Sequence, residues 1–223
     1  MNIELDDIKD IPLLKALSQA ELENILTLLK LKKAAKGSYI VNVNDLDRSL
    51  MFILDGKVKI NLYSKEGKEI IITTFSKGDF FGELSTLTSS PRSANAIAIE
   101  NCLLAVLEEV DFVEHCSKFS GLSFAMLKEL AERLRLSSSK ISDFALLDVY
   151  RRIARTLKSL ATSEQMNKDG QIIQIIENRP THQDLSSMVG TSREMVTKAL
   201  KGLVEDRCIK IVGKKIEFYK MPN

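Results

Sequence analysis

"THQDLSSMVGTSREMVTKALKGL", residues 181–203, carries the most decisive local pattern in the chain. Thr181 stands where a helix needs a cap, and Leu185 and Val189 point inward four residues apart. Gly190 supplies a turn at which positive φ is easiest. Thr191-Ser192-Arg193-Glu194 opens a second helix with capping-box spacing, and Val196, Leu200 and Leu203 keep that helix on a core. Ser186, four residues before Gly190, is small enough for the two helices to cross closely. This is the spacing of a helix-turn-helix rather than of a generic helical hairpin.

Such a motif lays the start of its second helix in the DNA major groove. The residues expected to be exposed there are Ser192, Arg193, Glu194, Thr197, Lys198 and Lys201. Arg193 can clamp guanine with two hydrogen bonds. Glu194 can accept from cytosine or simply close its own capping box, and Lys198 is a DNA contact or a solvated lysine. Thr181, His182, Gln183, Ser192 and Thr197 suit phosphate contacts. Lys214 is either a backbone-phosphate contact or plain surface. Charge agrees with a nucleic-acid partner for this end of the chain. Residues 149–223 carry 14 Lys/Arg against 8 Asp/Glu, whereas residues 1–148 carry 18 against 22.

Working outward, "CIKIV" and "KIEFY" around Gly213 read as a β pair, and "QIIQII" as a strand preceded by a polar loop, "TSEQMNKDG". Asp148 can cap a helix over "VYRRIARTLKSLA". Upstream, Leu127, Leu130, Leu134, Ser137, Ile141, Phe144 and Asp148 repeat with spacing 3-4-3-4-3-4, a heptad seam interrupted at Ser137. A helix over 122–147 is roughly 39 Å long at 1.5 Å per residue, more than its own domain can cover, which favours a two-helix dimer seam over a helix lying on its own barrel.

The N-terminal half follows a different period. Residues 18–33 read as a short helix opened by Ser18-Gln19-Ala20-Glu21. Short runs rich in Val, Ile, Tyr and Phe then alternate with turn signals through about residue 110. "MFILDGKVKINLY" reads as a hairpin on Asp55-Gly56, and "KEIIITTF" as a further strand. The expectation is an antiparallel barrel or sandwich.

Within that β pattern, "FGELSTLTSSPRSANAIA", residues 81–98, sets a carboxylate and a guanidinium on a polar loop. Gly82 lets backbone N–H groups approach an anion, and Arg92 offers the fork suited to a phosphate. Alternation places Arg92, Ala94, Ala96 and Ala98 on one face, leaving space beside the arginine. Glu83 can accept from sugar hydroxyls or brace Arg92. The group fits a ligand bearing an anion and a hydroxyl, such as a nucleotide, or else a ligand-free Arg92–Glu83 ion pair.

Phe81-Gly82-Glu83-Leu84 with Pro91-Arg92-Ser93-Ala94 closely resembles the phosphate-binding cassette of cyclic-nucleotide-binding domains. "SREMVTKAL" and the long seam resemble the helix-turn-helix and dimer helix of the cyclic AMP receptor (catabolite activator) family of bacterial transcription regulators. The resemblance covers nearly the whole chain in the same order. It implies an α+β protein with an N-terminal antiparallel, jelly-roll-like β-roll (residues 1–121), a dimerisation helix and hinge (122–147) and a winged helix-turn-helix domain (148–223). It further implies that Glu83 holds the ribose 2′-hydroxyl, that Gly82 and Leu84 lend backbone contacts, and that Arg92 and Ser93 bind a cyclic phosphate. Ser137 and Ser138 align with the hydroxyl residues that meet the base, one from each subunit. Arg193 and Glu194 match the base-reading pair, but Lys198 stands where close relatives often carry arginine, which is not an equivalent fork.

The resemblance thus implies cyclic AMP as effector, with cyclic GMP open, and a homodimer on double-stranded DNA with RNA polymerase as a partner. Other readings keep the fold but change the signal to cyclic di-GMP, redox state or a gas, or keep the nucleotide site but act on a protein partner. Cys102, Cys116 and Cys208 are too dispersed for an iron–sulfur cluster and read as free thiols of a cytoplasmic protein. Only His115 and His182 could ligate haem. No signal peptide, membrane span, metal-ligand cluster, nucleophile–His–acid set or P-loop is expected, so no catalytic residue is assigned and an enzyme is disfavoured.

Overall fold

The computed structural model describes residues 3–166 and 170–222. The chain divides into two compact units between Arg135 and Leu136. In chain order the first holds α1 (Leu5–Ile8), α2 (Gln19–Leu28), β1 (Lys30–Ala34), β2 (Tyr39–Val41), β3 (Leu50–Asp55), β4 (Lys57–Tyr63), β5 (Glu69–Ser76), β6 (Phe80–Phe81), α3 (Glu83–Thr88), β7 (Asn95–Ala98), β8 (Cys102–Leu107) and α4 (Glu109–Lys118). Helix α5 (Gly121–Leu146) runs across the division. The second unit continues with α6 (Val149–Ser159), β9 (Ser163–Met166), β10 (Ile172–Ile176), α7 (His182–Val189), α8 (Arg193–Glu205), β11 (Ile209–Val212) and β12 (Lys215–Phe218).

In the first unit two antiparallel sheets, ordered β1-β8-β3-β6 and β2-β7-β4-β5, enclose a core of Ile40, Met51, Ile53, Val58, Ala96, Ala98, Leu104 and Val106. The outer face of the first sheet is covered as well. Leu50, Phe52, Leu54 and Leu107 pack against Ile8, Leu22, Ile25, Phe112, Leu122 and Met126 of the helices. Strand β3 is therefore apolar at every position up to Leu54, because both its faces are buried.

That burial overturns one sequence expectation. Asp55-Gly56 makes no hairpin, since β3 and β4 lie in different sheets. The turn is a corner between the sheets, and Gly56 sits at φ 90°, where a Cβ would lie 2.4 Å from the Asn101 carbonyl oxygen. The hairpin comes one turn later, with β4 paired to β5 around Gly67. Helix α2 also ends at Leu28 rather than 33, although Ser18 and Glu21 form the expected capping box. Residues 30–34 instead form a ladder with β8. The segment after Gly82 contains α3 rather than an unbroken loop.

The second unit packs Ile153, Leu157, Leu185, Val196, Leu200 and Leu203 of its helices on Ile209, Ile216 and Phe218 of a sheet ordered β11-β12-β10-β9. Asp148 caps α6 by accepting from the Arg151 N–H at 2.8 Å. "TSEQMNKDG" is not wholly a loop, because Ser163–Met166 pairs with β10; residues 167–169 of that stretch lie outside the described ones. On α5, Leu122 and Met126 are buried, whereas Leu127, Leu134 and Ile141 of the heptad seam are 64%, 68% and 69% exposed.

Two titratable side chains sit where the helices meet the sandwich. The Glu21 carboxylate accepts from Ser18 N–H and from the Gly121 N–H that begins α5, at 2.8 and 2.9 Å. His115 on α4 is fully buried, with Nδ1 2.8 Å from Asn24 Oδ1 and no partner at Nε2 among the described residues. Burial pushes its pKa below the ordinary 6.5, against the opposing pull of Glu21. As pH falls through 6.5 the unfolded chain takes up a proton that the folded one refuses, so stability falls, by at most about 1.4 kcal/mol per pH unit. His115→Gln is expected to remove this slope just below pH 6.5. Chemical denaturation across that range checks it, and an unchanged slope would show that His115 does not titrate between the states.

Candidate functional site

The segment after β6 is shaped around Arg92. Gly82 has φ 93°, and a Cβ there would lie 2.4 Å from Arg92 Nη1 and 2.6 Å from the Ser49 carbonyl oxygen. Glycine is required both by its conformation and by this close approach. Arg92 is only 3% exposed. Its Nη1 donates to the Gly82 carbonyl at 3.2 Å, and its Nη2 to the Ser49 carbonyl and hydroxyl at 2.7 and 3.2 Å. Asp47 Oδ1 stands 3.2 Å from the same Nη2. The Nε–H is buried with no partner among the described residues.

Asp47 is held in place by Ser49, whose N–H and hydroxyl donate to its Oδ1 at 2.8 and 2.7 Å. Burial opposes ionisation of Asp47, but those bonds and the Arg92 guanidinium outweigh it and hold the carboxyl below its usual range. A cleft of about 620 Å³ adjoins this group through Asp47, Arg48 and Ser49, and its walls include Lys30 and Lys32 of β1, Met51 of β3 and Glu109 at the start of α4.

The Arg92–Glu83 pair considered from the sequence does not form. Glu83, 12% exposed at its side chain, pairs instead with Arg133 Nη1 at 3.1 Å. Arg133 lies 4.7 Å from the Phe75 ring centroid and 4.2 Å from that of Phe80, and donates to the Phe80 carbonyl at 2.8 Å. A guanidinium on α5 reaches Glu83 first, while the residues before β3 reach Arg92. The alanines also differ from expectation. Ala96 and Ala98 are packed into the inter-sheet core. Leu84 and Ser93 are exposed. Ser137 and Ser138 are exposed on α5, within the second unit. Sequence reasoning missed Asp47, Ser49 and Arg133; the one local signal was an arginine a turn before the Ser137 interruption.

In the second unit the motif is assembled as its spacing indicates. Thr181 caps α7, with Asp184 closing a capping box, and Gly190 turns the chain at φ 70°. The Thr191 N–H then bonds to the Ser186 carbonyl at 3.0 Å. The cap of α8 is Ser192, which accepts from the Met195 N–H at 3.3 Å, so the cap lies one residue after the expected Thr191 and Glu194 does not close a box with it. Glu194 is held below its usual carboxyl range by its own backbone N–H and by the Ser192 hydroxyl.

Thr181, Gln183, Ser192, Arg193, Glu194, Thr197, Lys198 and Lys201 are exposed. His182 Nδ1 lies 2.8 Å from Thr197 Oγ1, so two of the expected phosphate contacts also tie α7 to α8. Behind the turn, a Cβ on Gly190 would come within 3.3 Å of the Phe144 ring, and the Arg152 guanidinium lies 5.2 Å from the centre of that ring. Among the described residues no three His, Cys, Asp or Glu gather as a metal site, and no helix is long and apolar enough to cross a membrane.

Comparison with known proteins places both halves. Residues 31–119 match the cyclic nucleotide-binding domain, and residues 151–222 match the Crp-like helix-turn-helix domain. Vfr, a cAMP-activated global transcriptional regulator of Pseudomonas aeruginosa, is 33% identical over 199 residues, covering 86% of this chain and 91% of that protein. Two solved structures share the fold. CLP, the c-di-GMP responsive global regulator of Xanthomonas campestris, has a TM-score of 0.74 at 24% identity, covering 92% of this chain and 100% of that one. A variant of CooA from Carboxydothermus hydrogenoformans has a TM-score of 0.78 at 20% identity, with 96% and 93% covered.

The geometry at Gly82 generates a direct test. Gly82→Ala forces a side chain into left-handed backbone and against Arg92, and is expected to cost about 2 kcal/mol or more of stability in the N-terminal unit. Denaturant unfolding checks this, and a change within about 0.5 kcal/mol would show that the close approach is not needed.

Proposed function

The chain belongs to the family of cyclic nucleotide-binding, Crp-like helix-turn-helix transcription regulators, and from that premise we propose that its effector is cyclic AMP. The observation that carries this reading is the buried Arg92 guanidinium. Its Nε–H has no partner among the described residues, its Nη1 lies against a glycine at φ 93°, and both belong to the segment that matches the cyclic nucleotide-binding domain. An Arg edge of this kind suits a phosphate anion. In this reading Arg92 and Ser93 hold the cyclic phosphate, Gly82 and Leu84 offer backbone contacts, and Glu83 accepts from the ribose 2′-hydroxyl. Ser137 and Ser138 supply hydroxyls for the base, as the resemblance implies.

The exposed seam residues Leu127, Leu134 and Ile141 support a homodimer built along α5. Arg193, Glu194 and Lys198 read bases, and Thr181, His182, Gln183, Ser192 and Thr197 contact phosphates. Two such heads bind successive major grooves about one DNA turn apart, roughly 34 Å, the established spacing for paired motifs of this type. Effector control requires only that the DNA-competent arrangement bind the nucleotide better than the other does. RNA polymerase is the partner expected of a cytoplasmic regulator of this family.

Arg92→Leu is expected to weaken cyclic AMP binding on the order of a hundredfold and to abolish nucleotide-dependent DNA binding, while leaving a folded dimer. Calorimetric titration with cyclic AMP, cyclic GMP and cyclic di-GMP, on wild type and variant, measures this. Unchanged affinity in the variant rejects the Arg92 assignment, and tighter binding of another nucleotide reassigns the effector. Arg193→Ala is expected to relax specificity at one base pair of each half-site, at a cost of roughly 1–3 kcal/mol. Selection of binding sites from a randomised pool reads this out, and an unchanged preference counts against base contact by Arg193.

A further inference from the structure

The acid that answers Arg92 lies outside the 81–98 stretch altogether. Asp47 is the one carboxylate paired with this guanidinium among the described residues, and it is fixed there by Ser49 rather than swinging freely from the surface. It stands 3.2 Å from Nη2, whose hydrogen bonds go to the Ser49 carbonyl and hydroxyl. On the side chain of arginine, Nη2 and Nε form the edge that clamps an anion with two parallel hydrogen bonds. One half of that edge is therefore taken by the protein, and the other half, Nε–H, has no partner among the described residues.

We propose that Asp47 is a built-in competitor for the effector: its carboxylate neutralises Arg92 when no nucleotide is bound and opposes, by like charge, a cyclic phosphate that arrives at the same guanidinium. This rests on the reading of Arg92 as the phosphate ligand. A cation that is 3% exposed needs a counter-charge, and removing a partner from such a group leaves an uncompensated charge. The incoming phosphate carries the same sign as Asp47 and seeks the same guanidinium. Asp47 thus stabilises the nucleotide-free unit and, by the same contact, weakens the nucleotide. It sets the effector concentration at which the regulator responds. The two effects have opposite signs and one cause, which separates them from general damage to the fold.

The test uses the full chain, wild type and Asp47→Asn, titrated with cyclic AMP by calorimetry and melted without nucleotide. Asn keeps the shape and an acceptor for Ser49 but removes the charge. The nucleotide-free melting midpoint is expected to fall, while cyclic AMP affinity rises roughly three- to tenfold, the modest range suiting a half-exposed acid. Unchanged or weaker affinity in Asp47→Asn, with wild type binding normally, overturns the proposal and leaves the Arg92 reading intact. If wild type binds no cyclic nucleotide, that reading falls and the proposal with it. Should Asp47→Asn fail to fold, Asp47→Ser, which also removes the charge and keeps an oxygen acceptor, gives the same decision.

Discussion

A guanidinium buried in a β-sandwich needs acceptors and a counter-charge, and Arg92 dictates much of the architecture around it. Two main-chain carbonyls, a hydroxyl and a carboxylate converge on its terminal nitrogens. Gly82 has no side chain because that group would occupy the position of Nη1. Residues 44–49 are held to the same arginine from the backbone, since Arg92 N–H donates to the Asp45 carbonyl and Asn44 N–H to the Arg92 carbonyl, at 2.9 and 2.8 Å. Side chain and main chain therefore tie the segment before β3 to the segment before β7. The energetic reason is plain: an unanswered buried charge costs several kcal/mol, more than most single contacts return.

A second arginine treats its neighbourhood differently. Arg133 lies against two aromatic rings and takes the Glu83 carboxylate. The two acidic partners are thus divided, Asp47 to Arg92 and Glu83 to Arg133. This division gives the N-terminal unit two separate ion pairs close to the same short helix, one of them contributed by α5. In the C-terminal unit the motif relies on packing instead, with Leu185, Val196, Leu200 and Leu203 buried and the polar residues of α8 turned outward.

Local grammar was readable where one turn of chain contains both partners. Ser18 with Glu21, Thr181 with Asp184, Asp148 with the Arg151 N–H, and the left-handed Gly190 all sit where their spacing indicates. The same grammar misled at Asp55-Gly56, because a turn signal does not reveal whether the next strand joins the same sheet or the opposite one. That depends on β8 inserting between β1 and β3, and on β7 between β2 and β4. The partners of the two arginines were illegible for a related reason. Ser49 is 43 residues from Arg92, and Phe80 is 53 residues from Arg133, so no spacing rule connects them. The Arg92–Glu83 pair looked plausible only because the two are near in sequence.

Strand β1 lies at the outer rim of its sheet and is written Lys30-Leu31-Lys32-Lys33-Ala34. A rim strand offers unpaired N–H and C=O groups to any other extended chain it meets. Three ammonium groups in five residues make a second copy of this strand an electrostatically unwelcome neighbour. The molecule thereby discourages rim-to-rim stacking into fibrils, and self-association is left to surfaces where like charge does not repel.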